Sequence, residues 1–130
     1  MAEEMEEAGT IVVVDPDTDS RNDAEDLEDE FDRQVIAIDS VDFDTEVSED
    51  VLEAAVYIVC WNLGIRAGAD LIEEIRSNPR LEGKCVLVAV KEPTKTVVSW
   101  AMSLGADAVC SLPYDPGEVG ERLEEIENAA

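Results

Sequence analysis

Five short apolar runs punctuate the chain: Thr10–Val14, Val35–Ile38, Ala55–Cys60, Cys85–Val90 and Ala108–Cys110. They are rich in β-branched residues and lack apolar/polar alternation, the pattern of strands buried on both faces. Between them the spacing turns helical. Ala24, Leu27 and Phe31 make one apolar stripe on a segment otherwise almost wholly Asp and Glu. Leu71, Ile72 and Ile75 mark a third helix. Val98, Ala101 and Met102 mark a fourth, which ends at Gly105, a residue suited to a left-handed terminus. The fifth helix has the clearest start: Asp115 to cap it, Pro116 in the first helical position and Glu118 in the third, with Val119, Leu123 and Ile126 facing inward. The second is the faintest. Ser40–Ala54 mixes Val41, Phe43 and Val47 with acids, and only Ser48–Ala54 has a cap and a pattern.

A βα unit repeated five times requires a parallel sheet with right-handed crossovers and helices on both faces. The expected architecture is a three-layer, doubly wound α/β domain whose five-stranded parallel sheet has the flavodoxin-like order 2-1-3-4-5. The 130 residues suit one domain. It spans residues 10–130, behind an acidic N-terminal tail of residues 1–9, with no internal repeat or linker. In such a fold ligands sit at the carboxyl ends of the strands, beside the switch between strands 1 and 3. That singles out Asp15–Asp17, Cys60–Asn62, Val90–Lys91 and Ser111–Leu112. The loop Asp15-Pro16-Asp17-Thr18-Asp19 repels phosphate, against a flavin site, and the lack of histidine removes the usual cobalamin ligand.

Charge narrows the function further. There are 33 acidic and 9 basic residues and no histidine, for a net charge of −24. Hydrophobic residues still make up 45%, too many for a disordered acidic chain. So negative a surface repels nucleic acid and anionic membranes alike. No apolar run approaches the roughly 20 residues of a membrane span. The acidic start at Met1–Glu7 is unlike a signal peptide, so a cytoplasmic location is expected. Cys60, Cys85 and Cys110 are scattered and odd in number, as reduced thiols are. Without histidine there is no His-based triad and no ordinary zinc site. Residues 1–50 carry 20 acids against 2 bases, and the remainder 13 against 7. Such self-repulsion needs strong screening, with a Debye length of about 10 Å at 0.1 M salt but about 3 Å at 1 M. The composition is that of proteins adapted to a molar-salt cytoplasm, as in extreme halophiles.

Four motifs in order carry a family resemblance over nearly the whole chain. Val12-Val13-Val14-Asp15-Pro16-Asp17 resembles the first strand and acidic turn of response-regulator receiver domains, the CheY-like family. Cys60-Trp61-Asn62-Leu63-Gly64, with Gly68, is similar to that family's strand-3 motif Asp-x-x-Leu-Pro-x-x-x-Gly. Leu104-Gly105-Ala106-Asp107 matches the end of the fourth helix, and Leu112-Pro113-Tyr114 stands where the family has Lys-Pro-Phe.

The resemblance implies phosphotransfer to a strand-3 carboxylate, and here the departures matter. Cys60 occupies the phosphoacceptor position. Of the acidic pair implied to hold Mg²⁺, Asp15 survives as a vestige, Pro16 replaces the second member, and Asp17 falls one residue late. Val90, Leu112 and Val109 stand at the switch positions of the family's hydroxyl, lysine and aromatic. No metal, cofactor or enzymatic activity is expected, and apolar packing should fill the former site. Asp15 itself reads as a solvated or turn-bonding acid. The expected function is that of a stand-alone pseudo-receiver, a phosphorylation-independent protein–protein interaction or regulatory module. It would engage a protein partner or a second copy through the face of helix 4, strand 5 and helix 5, marked by Val97, Trp100, Glu118 and Arg122. Two alternatives are a switch responding to redox change or modification at Cys60, and a degenerate phosphoreceiver with weak metal binding.

Overall fold

The computed structural model describes residues 9–31, 33–39, 54–63, 66–81, 83–112 and 114–128. In chain order the strands are β1 (Ile11–Val14), β2 (Val35–Ile38), β3 (Val56–Cys60), β4 (Asn62–Leu63), β5 (Arg66–Ala67), β6 (Cys85–Val90) and β7 (Ala108–Ser111). The helices are α1 (Thr18–Glu25), α2 (Leu27–Phe31), α3 (Gly68–Ser77), α4 (Lys95–Leu104) and α5 (Pro116–Asn128). Five strands form one parallel sheet in the order β2-β1-β3-β6-β7, which is the expected 2-1-3-4-5 topology. β4 and β5 form a small antiparallel hairpin that strands of two residues are too short to announce in the sequence.

Alternate strand residues feed two cores. Val12, Val14, Tyr57, Val59 and Val88 meet Leu71, Ile72 and Ile75 of α3 and Ala101 of α4. On the other face Ile11, Val13, Val56, Ile58 and Leu87 meet Ala24, Leu27, Val119, Leu123 and Ile126. Each fully buried aliphatic side chain contributes about 1.5–3 kcal/mol, so β3, buried along its whole length, is the spine of the molecule.

The helices follow their stripes with two exceptions. The first helical segment breaks at Asp26 into α1 and α2, leaving Phe31 only half-buried. In α4 the expected core residue Met102 is instead exposed. The helix turns Ala101 to the sheet with half-buried Val97, Val98 and Leu104 beside it, a spacing of i, i+1, i+4 and i+7 that leaves position 102 a step outside. The helix ends as expected at Gly105, with φ of 118°. Asp115 caps α5, its carboxylate accepting from the Glu118 N–H at 3.3 Å. The helix expected over Ser48–Ala54 lies outside the described residues except for Ala54, which is buried.

Two arginines tie the layers together. Arg33, almost fully buried, donates to the Gly9 carbonyl at 2.8 Å and forks onto both oxygens of Glu127 at 3.0 and 3.1 Å. Arg76 donates to the Gly105 and Lys84 carbonyls, both at 2.8 Å, and to Asp107 at 2.9 Å. Asp107 in turn accepts from the Val86 N–H, which explains the acid after the Leu104-Gly105-Ala106 turn.

Candidate functional site

The parallel register brings the carboxyl ends of the strands level. Val14 lies beside Ile38 and Val59, Cys60 beside Ala89, and Val90 beside Ser111. The residues at and just past these ends therefore gather round a cavity of about 230 Å³ lined by Asp15, Pro16, Asp17, Cys60, Val90 and Leu112, together with Ser20 and Lys91. Three of the degenerate positions meet here: Cys60, Val90 and Leu112. Cys60 and Val90 are buried, and Leu112 is half-buried against both cores. The fourth, Val109, is half-buried against the core under α3 and α4. The apolar filling expected of this site is thus partial, and a cavity remains.

The floor behind Cys60 is shaped by a backbone crossing. The Gly68 N–H donates to the Trp61 carbonyl at 3.0 Å as the hairpin returns to start α3. A Cβ on Gly68 would lie 2.8 Å from both the Cys60 carbonyl oxygen and the Trp61 Cα. Only glycine fits there.

Of the two forms expected of Asp15, the structure shows the turn-bonding acid and not the solvated one. Its residue is 1% exposed, and every polar atom is engaged. Its N–H donates to the Ile38 carbonyl at 3.0 Å, and its own carbonyl accepts from Arg21 Nη1 at 2.8 Å. Oδ1 accepts from the Asp17 N–H at 2.9 Å, and Oδ2 accepts from the Tyr114 hydroxyl at 3.0 Å. Burial raises the Asp15 pKa above the usual carboxylate value, against the lowering effects of the Asp17 N–H and the Tyr114 hydroxyl. Burial raises Tyr114 as well, and the neighbouring Asp15 charge adds to it. Arg21 also reaches Asp39 at 3.6 Å, joining the ends of β1 and β2.

Tyr114 was missed as a site residue, although a signal was present: a hydroxyl on an aromatic where the resembling family has phenylalanine must find a partner once buried. The partner lies 99 residues away, beyond any local pattern.

The donor set does not fit the Mg²⁺ that the receiver resemblance implies. Each Asp15 oxygen already accepts a hydrogen bond from within the chain, and Pro16 offers no side-chain oxygen. Asp17 is spent on α1, where its two oxygens accept from the Asp19 N–H at 3.3 Å and the Ser20 hydroxyl at 3.2 Å. Among the described residues no group of three or more His, Cys, Asp or Glu is placed to hold a metal.

The expected interaction face is only partly free. Trp100 is 53% exposed, and its ring packs edge-on against Trp61 with centroids 5.2 Å apart. Trp100 thus folds onto its own domain and still presents half its surface. Val97 is half-buried. Glu118 is turned inward, accepting from the Ser111 N–H at 3.1 Å and the Ser111 hydroxyl at 2.9 Å. Arg122 donates to Glu125 at 2.9 Å. Met102, which the sequence places in the core stripe, is 45% exposed.

A doubly wound α/β domain with its acidic turn and strand-3 corner gathered at the carboxyl end of the sheet has the fold of a response-regulator receiver domain. Solved structures agree. The chemotaxis response regulator CheY4 of Vibrio cholerae has a TM-score of 0.77 at 13% identity, covering 91% of this chain and 98% of that one. The receiver domain of a DNA-binding response regulator, merR, from Colwellia psychrerythraea gives 0.78 at 16%, covering 92% and 98%. A CheY-like receiver domain from Methanospirillum hungatei gives 0.73 at 16%, covering 93% and 94%. No protein-family model matches the sequence, and no curated protein is significantly similar to it. Among the described residues no helix is long and apolar enough to cross a membrane.

Proposed function

We propose that the chain is a pseudo-receiver: a phosphorylation-independent module that acts by binding another protein in a salt-rich cytoplasm, with neither catalytic activity nor a cofactor of its own. The observation that carries this reading is the set of side chains at the strand ends. Phosphotransfer through an acyl phosphate needs a carboxylate nucleophile, and Cys60 supplies a thiol. Val90 and Leu112 offer neither a hydroxyl nor an ammonium to a phosphoryl group. Asp15 already has its partners within the chain.

Support for the binding role comes from α4. Its ten residues contain no Asp or Glu, whereas each of the other four α-helices among the described residues carries at least three. Trp100 and Met102 on this helix are the exposed large hydrophobic side chains among the described residues. In a chain with 33 acids, an acid-free helix presenting an indole and a thioether is the surface a partner can approach without repulsion. The partner is a protein offering an apolar surface, and a second copy of the chain is one form it can take.

The test is to incubate the protein with Mg²⁺ and acetyl phosphate in molar KCl and to read intact mass with tryptophan fluorescence in parallel. The expected result is unchanged mass and a flat signal, although Trp61 follows Cys60 directly. A phosphate adduct sinks the proposal. Rapid labelling of Cys60 in the folded protein would favour the redox-switch alternative, since this thiol borders the cavity. Trp100→Ala is expected to abolish partner recovery, or self-association if the partner is a second copy.

A further inference from the structure

We infer that the Tyr114 hydroxyl is an internal lock on Asp15: it occupies the one carboxylate oxygen that a divalent cation would need and so closes the strand-end cavity to metal. The inference rests on the metal-independent reading above and extends it by naming the residue responsible. Three observations combine. First, Asp15 borders the cavity but is 1% exposed, with Oδ1 held by the adjoining Asp17 N–H and Oδ2 by Tyr114. The Oδ1 bond is local to the turn after β1, whereas the Oδ2 bond crosses from the far side of the sheet. Second, Tyr114 is itself buried, and its ring forms part of a groove with Leu27 of α2 and Pro116 of α5, so the hydroxyl is fixed by packing. A cation on Oδ2 would have to share that oxygen with the hydroxyl, weakening the hydrogen bond, or leave the hydroxyl buried without an acceptor, and either opposes binding. Third, the remaining corners are apolar or already committed: Pro16 and Leu112 carry no side-chain oxygen, and Asp17 caps α1. The hydroxyl therefore gives Asp15 Oδ2 a partner from within the chain at the position where a cation would bind.

The test restores the missing carboxylate with and without the lock. Pro16→Asp and Pro16→Asp/Tyr114→Phe are titrated with Mn²⁺ in molar KCl, which screens loose binding to the acidic surface, and site occupancy is read from paramagnetic broadening of the Asp15, Cys60 and Trp61 amides. The double variant is expected to bind at least about tenfold more tightly than the single one, the worth of one hydrogen bond to a carboxylate. Adding Asp15→Asn should erase the broadening. Equal affinity in the two variants, or no site-centred broadening in either, overturns the role given to Tyr114 while leaving the proposed function standing. Site-centred Mn²⁺ binding by the parent protein overturns the metal-independent reading and the lock together. Near-ultraviolet circular dichroism on each variant checks the fold, and if Pro16→Asp unfolds, Pro16→Asn with and without Tyr114→Phe carries the same comparison, with equal affinity counting against the lock.

Discussion

Replacing Tyr114 with phenylalanine removes one oxygen and leaves the ring where it packs. What is lost is the 3.0 Å hydrogen bond to Asp15 Oδ2. Leaving a buried charged acceptor short of a donor costs about 1–3 kcal/mol. In the variant a water from the cavity that Asp15 borders could take the vacated donor position, which places the loss toward the lower half of the range. For 130 residues the unfolding entropy implies about 4 °C of Tm per kcal/mol, hence a drop of about 4–8 °C at neutral pH. The loss should also depend on pH. Burial raises the folded-state pKa of Asp15 above its unfolded value, so the folded state binds that proton more tightly. Its contribution to stability is fully present below the unfolded value and is lost as pH rises through the folded one. Tyr114 offsets part of that loss by donating to the ionised form. The variant should therefore be most destabilised above the folded pKa and approach the parent on acidification, where Asp15 is neutral. Urea unfolding at fixed molar KCl, at neutral pH and in the mildly acidic range, measures both effects. A loss below about 0.5 kcal/mol, or one equal at both pH values, would refute the reasoning.

Two further outcomes follow from the same structure. Thermal unfolding should shift strongly upward between 0.1 and 3 M KCl, because 33 acids against 9 bases repel at low salt and the Debye length contracts to a few ångströms; a flat Tm across that range would remove the case for salt adaptation. Gly68→Ala should cost about 1–3 kcal/mol and disturb Trp61 fluorescence, since the new methyl group meets the Cys60 and Trp61 backbone at 2.8 Å; a variant as stable as its parent would show that this crossing has slack.

The sheet was legible because its strands are buried on both faces and therefore write continuous apolar runs, so the bounds of β2 and β6 match the sequence reading and those of β1, β3 and β7 differ by one residue. The caps at Asp115 and Gly105 were legible because they depend on local backbone chemistry. Three features were not. The β4–β5 hairpin has too few residues for a period, and Met102 fits an apolar stripe until the sheet fixes which side of α4 faces inward. The lock on Asp15 joins residues 99 positions apart, and the hydroxyl of a tyrosine says that it needs an acceptor without saying which. The site's position was thus readable from topology, while its internal closure was a product of packing.

The charge of the molecule also constrains how it can bind. In molar salt exposed ion pairs are screened almost completely, and a docking surface built from them loses its attraction. Apolar contacts are not screened. A protein of this composition therefore cannot rely on its acidic helices α1 and α2 to hold a partner, whatever the sign of that partner. On the proposed function it relies instead on Trp100 and Met102, whose contribution would come from removing apolar surface from water. This separates the two faces experimentally. A complex formed through α4 should keep its affinity, or gain slightly, between 1 and 3 M KCl, and lose it on Trp100→Ala; a complex through the acidic face should weaken steeply with salt and ignore that substitution. Sedimentation or calorimetric titration across the salt series distinguishes them. An affinity that falls with salt and survives the loss of Trp100 would move the interaction surface from α4 to α1 and α2.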